Sequence, residues 1–445
     1  MNKNLSQEYL AKLAKEFAAS KTNKLAMNAV VKSGPRAVTT NWDVVKTPNR
    51  VFSNYIKTPT ITNQKGSGRC WLFSALNTFR MKSLKKLNVT EFEFSQAYPM
   101  FWDKLEKCNY FLESILETLD EETDGRLIHH LLRDPLCDGG QWDMMVNLVQ
   151  KYGLCPKTVY PESFSSSSTG AMNNILTGKL QEYACTLREA YAKGAKVAAL
   201  RAKKAEMVQE FYNILTIHMG TPPTEFLWQW RDKKDKFHRD GVLTPQQFFK
   251  KYVDINLDDM VCLINAPTKD KPYERMYTVK YLGNVVGGYP VRYLNVEIDV
   301  IKKAAINTIK DGDPVWFGCD VGQMLEPQLG ILDLDMFDVD LLGGAACNLN
   351  KAQRLDYGRS SMNHAMVLTA VDLDNKGKPV RWLIENSWGD KNEGKGFLTM
   401  TDDWFTEFTY EVAVNKKYLP KKLQAILKQK PIELNPWDPM GSLAK

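Results

Sequence analysis

The chain has 445 residues, of which 44% are hydrophobic and 25% are charged, and its formal net charge is +7. This length allows a large buried core and two or three domains, and the ordinary composition argues against a chain that is disordered throughout. A charge of +7 is small for 445 residues, so it does not by itself indicate a nucleic-acid partner.

The cysteines and the first residues of the chain bear on its compartment. The eight cysteines are scattered and form no C-x-x-C pair, which argues against a zinc ribbon and against a disulfide scaffold. Residues 1–8 lack the apolar segment of a signal peptide, and no window approaches ~18 uncharged apolar residues. We therefore expect a cytoplasmic protein with free thiols and no membrane partner. We also expect no metal or other cofactor, because no cluster of His, Cys, Asp and Glu has ligand spacing.

Helices dominate the first part of the predicted structure. Apolar residues recur at helical spacing over 7–19, which predicts an amphipathic helix. An apolar run without Gly or Pro predicts a second helix from Cys70 through Ser83. A Gly-Gly turn precedes a further predicted helix, which begins near Trp142 and ends at Gly153.

The middle of the chain has a different composition. The serine-rich segment 163–170 predicts an exposed loop, and residues 180–219 are rich in Ala, Lys and Glu and predict helices. Basic residues cluster at 193–204 and at 231–236, and the second cluster lies among tryptophans. Solvated helix faces explain most such runs, but nucleic-acid binding through this basic segment remains an alternative.

Strands dominate the predicted structure after about residue 260. The candidates lie at 277–282, 315–321, 365–371 and 381–386. A helical first half and a stranded second half predict an α+β fold with two packed lobes. The last fifteen residues contain three prolines, so we expect an extended arm there rather than a continuous helix.

Cys70 is the first candidate for chemistry. It follows the glycine-rich turn 66–68 and begins an apolar helix. The unpaired N–H groups and the positive dipole of a helix N-terminus favour a thiolate. A buried structural cysteine is the commoner case, so Cys70 needs further residues in support.

Three other residues supply what a nucleophilic cysteine requires. His364 stands at the entrance of an apolar strand and is the candidate base. Asn386 closes another strand and is suited to orient the imidazole, with Trp388 shielding their bond. The Gln64 side chain and the Cys70 N–H lie on either side of the glycine turn and are candidate oxyanion donors. We expect Cys70 and His364 to form an ion pair at rest.

The order Gln, Cys, His, Asn resembles the papain-like cysteine peptidases. The resemblance narrows to the branch of bleomycin hydrolase and aminopeptidase C in the segments 63–71, 92–96, 138–144, 316–322 and 436–441. It runs from about residue 60 to the C-terminus. In secreted papain-type enzymes a disulfide cysteine lies three residues before the nucleophile. Ser67 occupies that position here, in agreement with a cytoplasmic site.

The resemblance implies a papain-like two-lobed fold, with a helical lobe, a β-barrel-like lobe, a large helical insert and a C-terminal arm. We expect five segments: an N-terminal helical extension (1–60), a helical lobe with the nucleophile (61–165), a helical basic insert (166–260), a β-rich lobe with the His and Asn (261–415), and a C-terminal helix and arm that enters the active site (416–445).

The resemblance also implies an activity and its specificity. It implies an aminopeptidase that removes N-terminal residues from peptides, and bleomycin hydrolase-type amide hydrolysis. Gly139 and Gly140 resemble the ledge that pairs with the substrate backbone, although a simple turn remains an alternative. The Ala444 carboxylate would pair with the substrate ammonium group once Lys445 is trimmed.

The sequence also leads to an expected oligomeric state and to two alternative functions. Family resemblance implies a homohexamer with active sites facing an internal channel. Two alternatives stay open: a nucleic-acid-binding hexamer in which peptidase activity is secondary, and a Cys-His acyl transferase of the transglutaminase type. The transferases usually use an aspartate as the orienting residue, and they lack the spacing of Gln64.

Overall fold

The computed structural model describes residues 4–46 and 49–444. Its α-helices occupy the following ranges: α1 Gln7–Ala19, α2 Lys21–Ser33, α3 Pro35–Thr39, α4 Trp42–Val45, α5 Cys70–Leu87, α6 Ala97–Glu117, α7 Arg126–Arg133, α8 Trp142–Tyr152, α9 Phe164–Ser167, α10 Gly170–Ala192, α11 Val197–Met219, α12 Pro245–Tyr252, α13 Ile298–Lys310, α14 Lys351–Asp356, α15 Asp402–Phe408 and α16 Lys421–Ile426.

The strands occupy these ranges: β1 Asn54–Tyr55, β2 Phe226–Arg231, β3 Phe237–Leu243, β4 Met260–Ile264, β5 Arg275–Val279, β6 Tyr293–Asn295, β7 Val315–Cys319, β8 Leu325–Glu326, β9 Ile331–Leu332, β10 His364–Leu373, β11 Pro379–Glu385, β12 Phe397–Thr401, β13 Thr409–Asn415 and β14 Ile432–Leu434. Single 3-10 turns occur at Leu257–Asp259, Val339–Leu341, Lys416–Tyr418 and Pro439–Ala444.

One large sheet forms the frame of the molecule. Its strand order is β14-β5-β6-β4-β13-β7-β10-β11-β12-β9-β8, and β1 pairs with β10. The central pairs β4–β13, β13–β7, β7–β10 and β10–β11 are antiparallel. The sheet therefore gathers strands from the extension before residue 60, from the β-rich segment and from the C-terminal arm.

Two hydrophobic cores lie on opposite sides of this sheet. Side chains alternate along β7, so that Trp316 joins the core of the helical lobe and Phe317 joins the core beside α13 and α15. Helix α5 is buried along most of its length in the first core. Burial of a helix on nearly all sides fixes its N-terminus firmly, and this places Cys70.

Several predicted elements are confirmed. Helix α1 covers 7–19, α5 begins at Cys70, and α8 covers Trp142–Tyr152. Gly153 follows α8 with φ +72°, a conformation that favours glycine. The ends of these helices and the centres of the strands could be predicted from the sequence because they depend on local composition.

Two predictions for the middle segment are wrong. The serine-rich segment 163–170 is not an exposed loop: it forms helix α9 with a capping box at Ser163, and Ser166 is buried. The insert is not wholly helical, because β2 and β3 form an antiparallel hairpin. Trp228 and Trp230 of this hairpin stack on each other and pack against α12, which explains why aromatic residues interrupt the basic run. Within the described residues, no helix is both long and apolar enough to span a membrane.

Candidate active site

Cys70 is the first residue of α5 and is only 4% exposed. Its Sγ accepts a hydrogen bond from the backbone N–H of Ala365 at 3.4 Å. One turn further along α5, the Ser74 hydroxyl donates to the Ala365 carbonyl at 2.8 Å. The helix is thus docked on the first residues of β10, and Cys70 lies against the neighbour of His364.

His364 is oriented by Asn386. The His364 Nε2 lies 2.9 Å from Asn386 Oδ1, and the Ser387 N–H donates to the same Oδ1 at 2.8 Å. An atom that accepts from a backbone N–H is the amide oxygen, so the imidazole must donate from Nε2. Nδ1 is then the free basic nitrogen. The Trp388 ring lies 4.8 Å from the imidazole and covers one face of it.

Burial is the main cause of the pKa shifts of Cys70 and His364. It raises the pKa of the Cys70 thiol to about 11, although the N–H groups of Ala365, Trp71 and Cys70 itself lower that pKa in part. Burial also lowers the pKa of His364 to about 4, against the opposing hydrogen bond from Asn386. Each shift favours the neutral form. Burial of both groups therefore opposes the ion pair that the sequence predicts, and that ion pair stays a prediction.

Gln64 lies beside the nucleophile turn in a defined orientation. Its Nε2 donates to the Ser67 carbonyl at 2.6 Å, and its Oε1 accepts from the Ser387 hydroxyl at 2.6 Å. Because a carbonyl only accepts, the nitrogen end must face Ser67. The second N–H of the amide remains for another acceptor. Ser387 therefore contacts both the Gln64 amide and, through its N–H, the Asn386 amide.

The two predicted ledge glycines have different neighbours. A Cβ at Gly139 would lie 2.1 Å from the carbonyl oxygen of Leu443, in the C-terminal arm. A Cβ at Gly140 would lie 2.5 Å from the Trp71 ring. The absence of a side chain at Gly139 thus allows the backbone of Leu443 to pack against it, and the absence of a side chain at Gly140 allows the Trp71 ring to pack there. A simple turn would require neither approach.

The arm crosses from one lobe to the other next to these residues. Ser442 donates to the Met362 carbonyl at 2.7 Å, two residues before His364. The Ala444 carbonyl lies 2.8 Å from the Cys137 thiol, two residues before Gly139. Leu443 is buried between these two contacts. The arm therefore occupies the cleft on the ledge side of Cys70. Lys445, which the sequence analysis expects to be trimmed, lies outside the described residues.

The arm is anchored before it enters the cleft. Strand β14 pairs in parallel with β5. The Asp438 carboxylate forms an ion pair with the buried Lys271 at 2.9 Å, and the Arg126 guanidinium lies 3.8 Å from the centre of the Trp437 ring. The Tyr293 hydroxyl donates to the Met440 carbonyl at 3.0 Å. These contacts hold the backbone of residues 437–440 in one path.

Some contacts of the site had no predicted role. Ser387 directly follows Asn386 in the sequence, but its bond to Gln64 depends on the pairing of distant segments. Cys137 was grouped with the scattered thiols, and only its position before the Gly-Gly turn hinted at a role. In the described part of the chain, no group of three or more His, Cys, Asp and Glu is placed to hold a metal ion.

Comparison with known proteins shows which family and which relatives the chain resembles. A model of the Peptidase C1-like family matches residues 4–441. The chain is 46% identical over 444 residues to aminopeptidase C of Listeria monocytogenes, a match that covers 100% of both chains. It is 46% identical over 450 residues to bleomycin hydrolase of Gallus gallus, with 99% of each chain covered.

A solved structure agrees with these matches. The crystal structure of PepW from Lactobacillus rhamnosis HN001 has a TM-score of 0.97 and 47% identity to this chain, and 99% of each chain is covered. The papain-like α+β fold and the branch of bleomycin hydrolase and aminopeptidase C that the motifs predict are confirmed. The chain belongs to the Peptidase C1-like family.

Proposed function

We propose that the protein is a cysteine-type aminopeptidase that removes single residues from the free N-termini of peptides. The observation that carries this proposal is the meeting of two features in one cleft. Cys70, His364 and Asn386 form a thiol site, and the protein's own C-terminal arm fills the cleft beside it. Full-length identity of 46% to aminopeptidase C supports the same function.

The geometry supports a two-step acyl transfer. His364 Nδ1 takes the proton of the Cys70 thiol, and the sulfur attacks the carbonyl carbon of the N-terminal residue. The Cys70 N–H and the second N–H of Gln64 stabilise the oxyanion. The imidazolium then protonates the departing amine as the C–N bond breaks. A water molecule, deprotonated by His364, attacks the thioester and releases the amino acid and the thiol.

The arm accounts for the preference for a free N-terminus. Because it lies on the ledge at Gly139, it leaves room for one substrate residue on that side of Cys70. The Ala444 carboxylate, once Lys445 is removed, would attract the ammonium group of that residue. The mass of the mature, active protein should be that of a chain ending at Ala444. An intact Lys445 in active protein would contradict this trimming.

The deciding experiment compares substrates with free and with acetylated N-termini. We expect hydrolysis of free aminoacyl arylamides and none of their acetylated forms. Cys70→Ala should abolish release of the free amino acid, while Cys185→Ser, at an exposed thiol, should leave the rate unchanged. Near-normal hydrolysis by Cys70→Ala would refute the proposal. Transfer of the acyl group to added amines in preference to water would instead favour the acyl transferase.

The relatives' names extend the substrate class. Because proteins named bleomycin hydrolase are similar over the whole chain, we include hydrolysis of the bleomycin amide in the proposed activity. The basic insert adds little to the nucleic-acid alternative. Arg201 and Lys204 both pair with Glu113, and Lys193 pairs with Glu189, so two carboxylates of the fold offset part of this positive charge.

We also propose that the protein is cytoplasmic and a homohexamer. The N-terminal helices support self-association, since α1 and α2 contain no buried residue. They expose large apolar side chains at Phe17, Leu25 and Val31. Exposed apolar surface of this kind marks interfaces. Sedimentation of the full chain tests the oligomeric state, and a monomer at micromolar concentration would contradict it.

A further inference from the structure

The Asp138 carboxylate lies at the junction of three parts of the molecule. It accepts a hydrogen bond from the Gly68 N–H, in the nucleophile turn, at 2.8 Å. Its two oxygens also accept from the Thr169 hydroxyl at 2.5 Å and from the Asn173 amide at 2.8 Å. Lys104 of α6 forms an ion pair with it at 2.7 Å. The same residue's carbonyl accepts from the Trp71 indole.

These partners make Asp138 a permanent anion in a nearly closed site. Its side chain is 9% exposed. Burial opposes the charge, but Lys104 and the hydrogen bonds of Thr169 and Asn173 outweigh burial, and the pKa of Asp138 lies far below its usual range. A charged acceptor holds a backbone N–H about twice as strongly as a neutral one. The position of Gly68, two residues before Cys70, is thus set by a strong bond.

A second set of bonds joins the turn to the start of the insert. The Gly66 N–H donates to the Ser167 carbonyl at 3.0 Å, and the Gly66 carbonyl accepts from the Thr169 N–H at 3.2 Å. The Arg69 guanidinium makes two 2.9 Å bonds to the Glu162 carboxylate. Three positions of the turn, 66, 68 and 69, are therefore held by residues outside the turn itself.

The sequence explains why such bonds are needed. Ser67 stands where secreted papain-type enzymes have a disulfide cysteine, so no covalent bond restrains this turn. The turn carries both candidate oxyanion donors, because Gln64 is bonded to the Ser67 carbonyl and the Cys70 N–H follows directly. A displacement of about 1 Å in such a group costs on the order of 10²-fold in rate.

We propose that Asp138, together with Glu162, Ser167, Thr169 and Asn173, positions the oxyanion donors, as a polar replacement for a covalent cross-link. The inference rests on the proposed function. It gives the insert a role in catalysis at its first helices, α9 and α10. Because the oxyanion exists only in the transition state, loss of positioning lowers kcat and leaves KM nearly unchanged.

Thr169 is the best position for the test, because it touches neither substrate nor Cys70. Thr169→Val removes the hydroxyl bond at constant shape, and we expect kcat on a free aminoacyl arylamide to fall about tenfold, with KM within twofold. Thr169→Ser keeps the hydroxyl and should restore kcat. Ser165→Ala is the matched control: it removes a bond to His218 in the same segment but does not reach the turn.

Rates are normalised to folded active sites by thermal unfolding and by titration of the Cys70 thiol. Asp138→Asn should lower kcat further than Thr169→Val, because the charged acceptor of Gly68 is lost. Unchanged kcat in folded Thr169→Val, a change confined to KM, or no rescue by Thr169→Ser would overturn the inference. None of these results bears on the proposed function, which fails if Cys70→Ala stays active, if acetylated substrates are cleaved equally well, or if the acyl group passes to added amines in preference to water.

Discussion

At the scale of single residues, Ser387 fixes two amides with one backbone and one side-chain bond. Its hydroxyl sets the Gln64 amide, and its N–H identifies the oxygen of Asn386. The orientation of a side-chain amide, with its oxygen on one side or the other, is set by such hydrogen bonds. Ser387 thereby ensures that Gln64 presents nitrogen towards the turn and that Asn386 presents oxygen to His364.

Substitutions at Gln64 and Ser387 should therefore differ in degree. We expect Gln64→Ala to lower kcat on the order of 10²–10³-fold, as for other oxyanion donors. Ser387→Ala leaves the donor held only by its bond to the Ser67 carbonyl, so a loss of about tenfold is expected. Steady-state kinetics on one arylamide compares them. A larger effect for Ser387→Ala than for Gln64→Ala would contradict this order.

The ionisation of Cys70 gives a second test at this scale. With a thiol pKa of about 11, the thiolate fraction rises about tenfold with each pH unit between 6 and 9, and so should the rate of alkylation by iodoacetamide. A Cys70–His364 ion pair would give a nearly constant rate from pH 5 to 8. Mass spectrometry of the peptide that contains Cys70 separates its alkylation from that of the exposed Cys185 and Cys347.

At the scale of elements, the proposed role of the C-terminal arm is to determine which peptide bonds reach the thiol. The arm is not extended throughout, because it contains strand β14 and a 3-10 helix at Pro439–Ala444. Strand β14 pairs with β5, the Met440 carbonyl accepts from the Tyr293 hydroxyl, and the Ser442 hydroxyl donates to the Met362 carbonyl. Such contacts use carbonyl groups that every residue has, so they do not appear in the composition of the arm. Gly139, which has no side chain, is the one sign in the sequence that the backbone of Leu443 packs closely at this position.

Deleting residues 441–445 should open the cleft on the ledge side. We expect the truncated enzyme to cleave N-acetylated peptides internally and to lose its preference for a free N-terminus, as judged by mass spectrometry of the products. Deletion of Lys445 alone keeps Ala444 and is the matched control, for which strict aminopeptidase action is expected. A truncated enzyme that still removes only N-terminal residues would refute this role of the arm.

At the scale of the whole molecule, the helical core and the sheet enclose the carboxyl group of Glu411, away from the thiol. Glu411 in β13 is fully buried, and neither of its carboxyl oxygens has a hydrogen-bond partner in the described structure. Burial raises its pKa to about 8, assisted by Asp143 and opposed by Cys262. Folding therefore keeps Glu411 protonated at neutral pH, whereas the unfolded chain ionises it near 4.5.

This shift makes stability depend on pH in a defined direction. Below about pH 4.5 Glu411 is protonated in both states, and stability is full. As the pH rises to about 8 the folded state loses about 1.4 kcal/mol per pH unit relative to the unfolded state. Glu411→Gln should therefore raise the melting temperature more at pH 7.5 than at pH 5. Glu433→Gln, at an exposed strand position, is the control, and an equal gain at both pH values would refute the assignment.

The amino-acid sequence alone determined the helix at Cys70, the order Gln64, Cys70, His364, Asn386, the papain-like fold and its branch. The helix follows from periodicity and from the glycines before it, whereas the papain-like fold and its branch follow from the resemblance of short motifs to a known family. The register of β7 with β10, the bonds of Ser387 and the cross-link at Asp138 depend on segments far apart in the chain, and so they needed the tertiary structure. The pKa shifts of Cys70 and His364 also needed the tertiary structure, because desolvation depends on all the atoms packed around a group rather than on its neighbours in sequence.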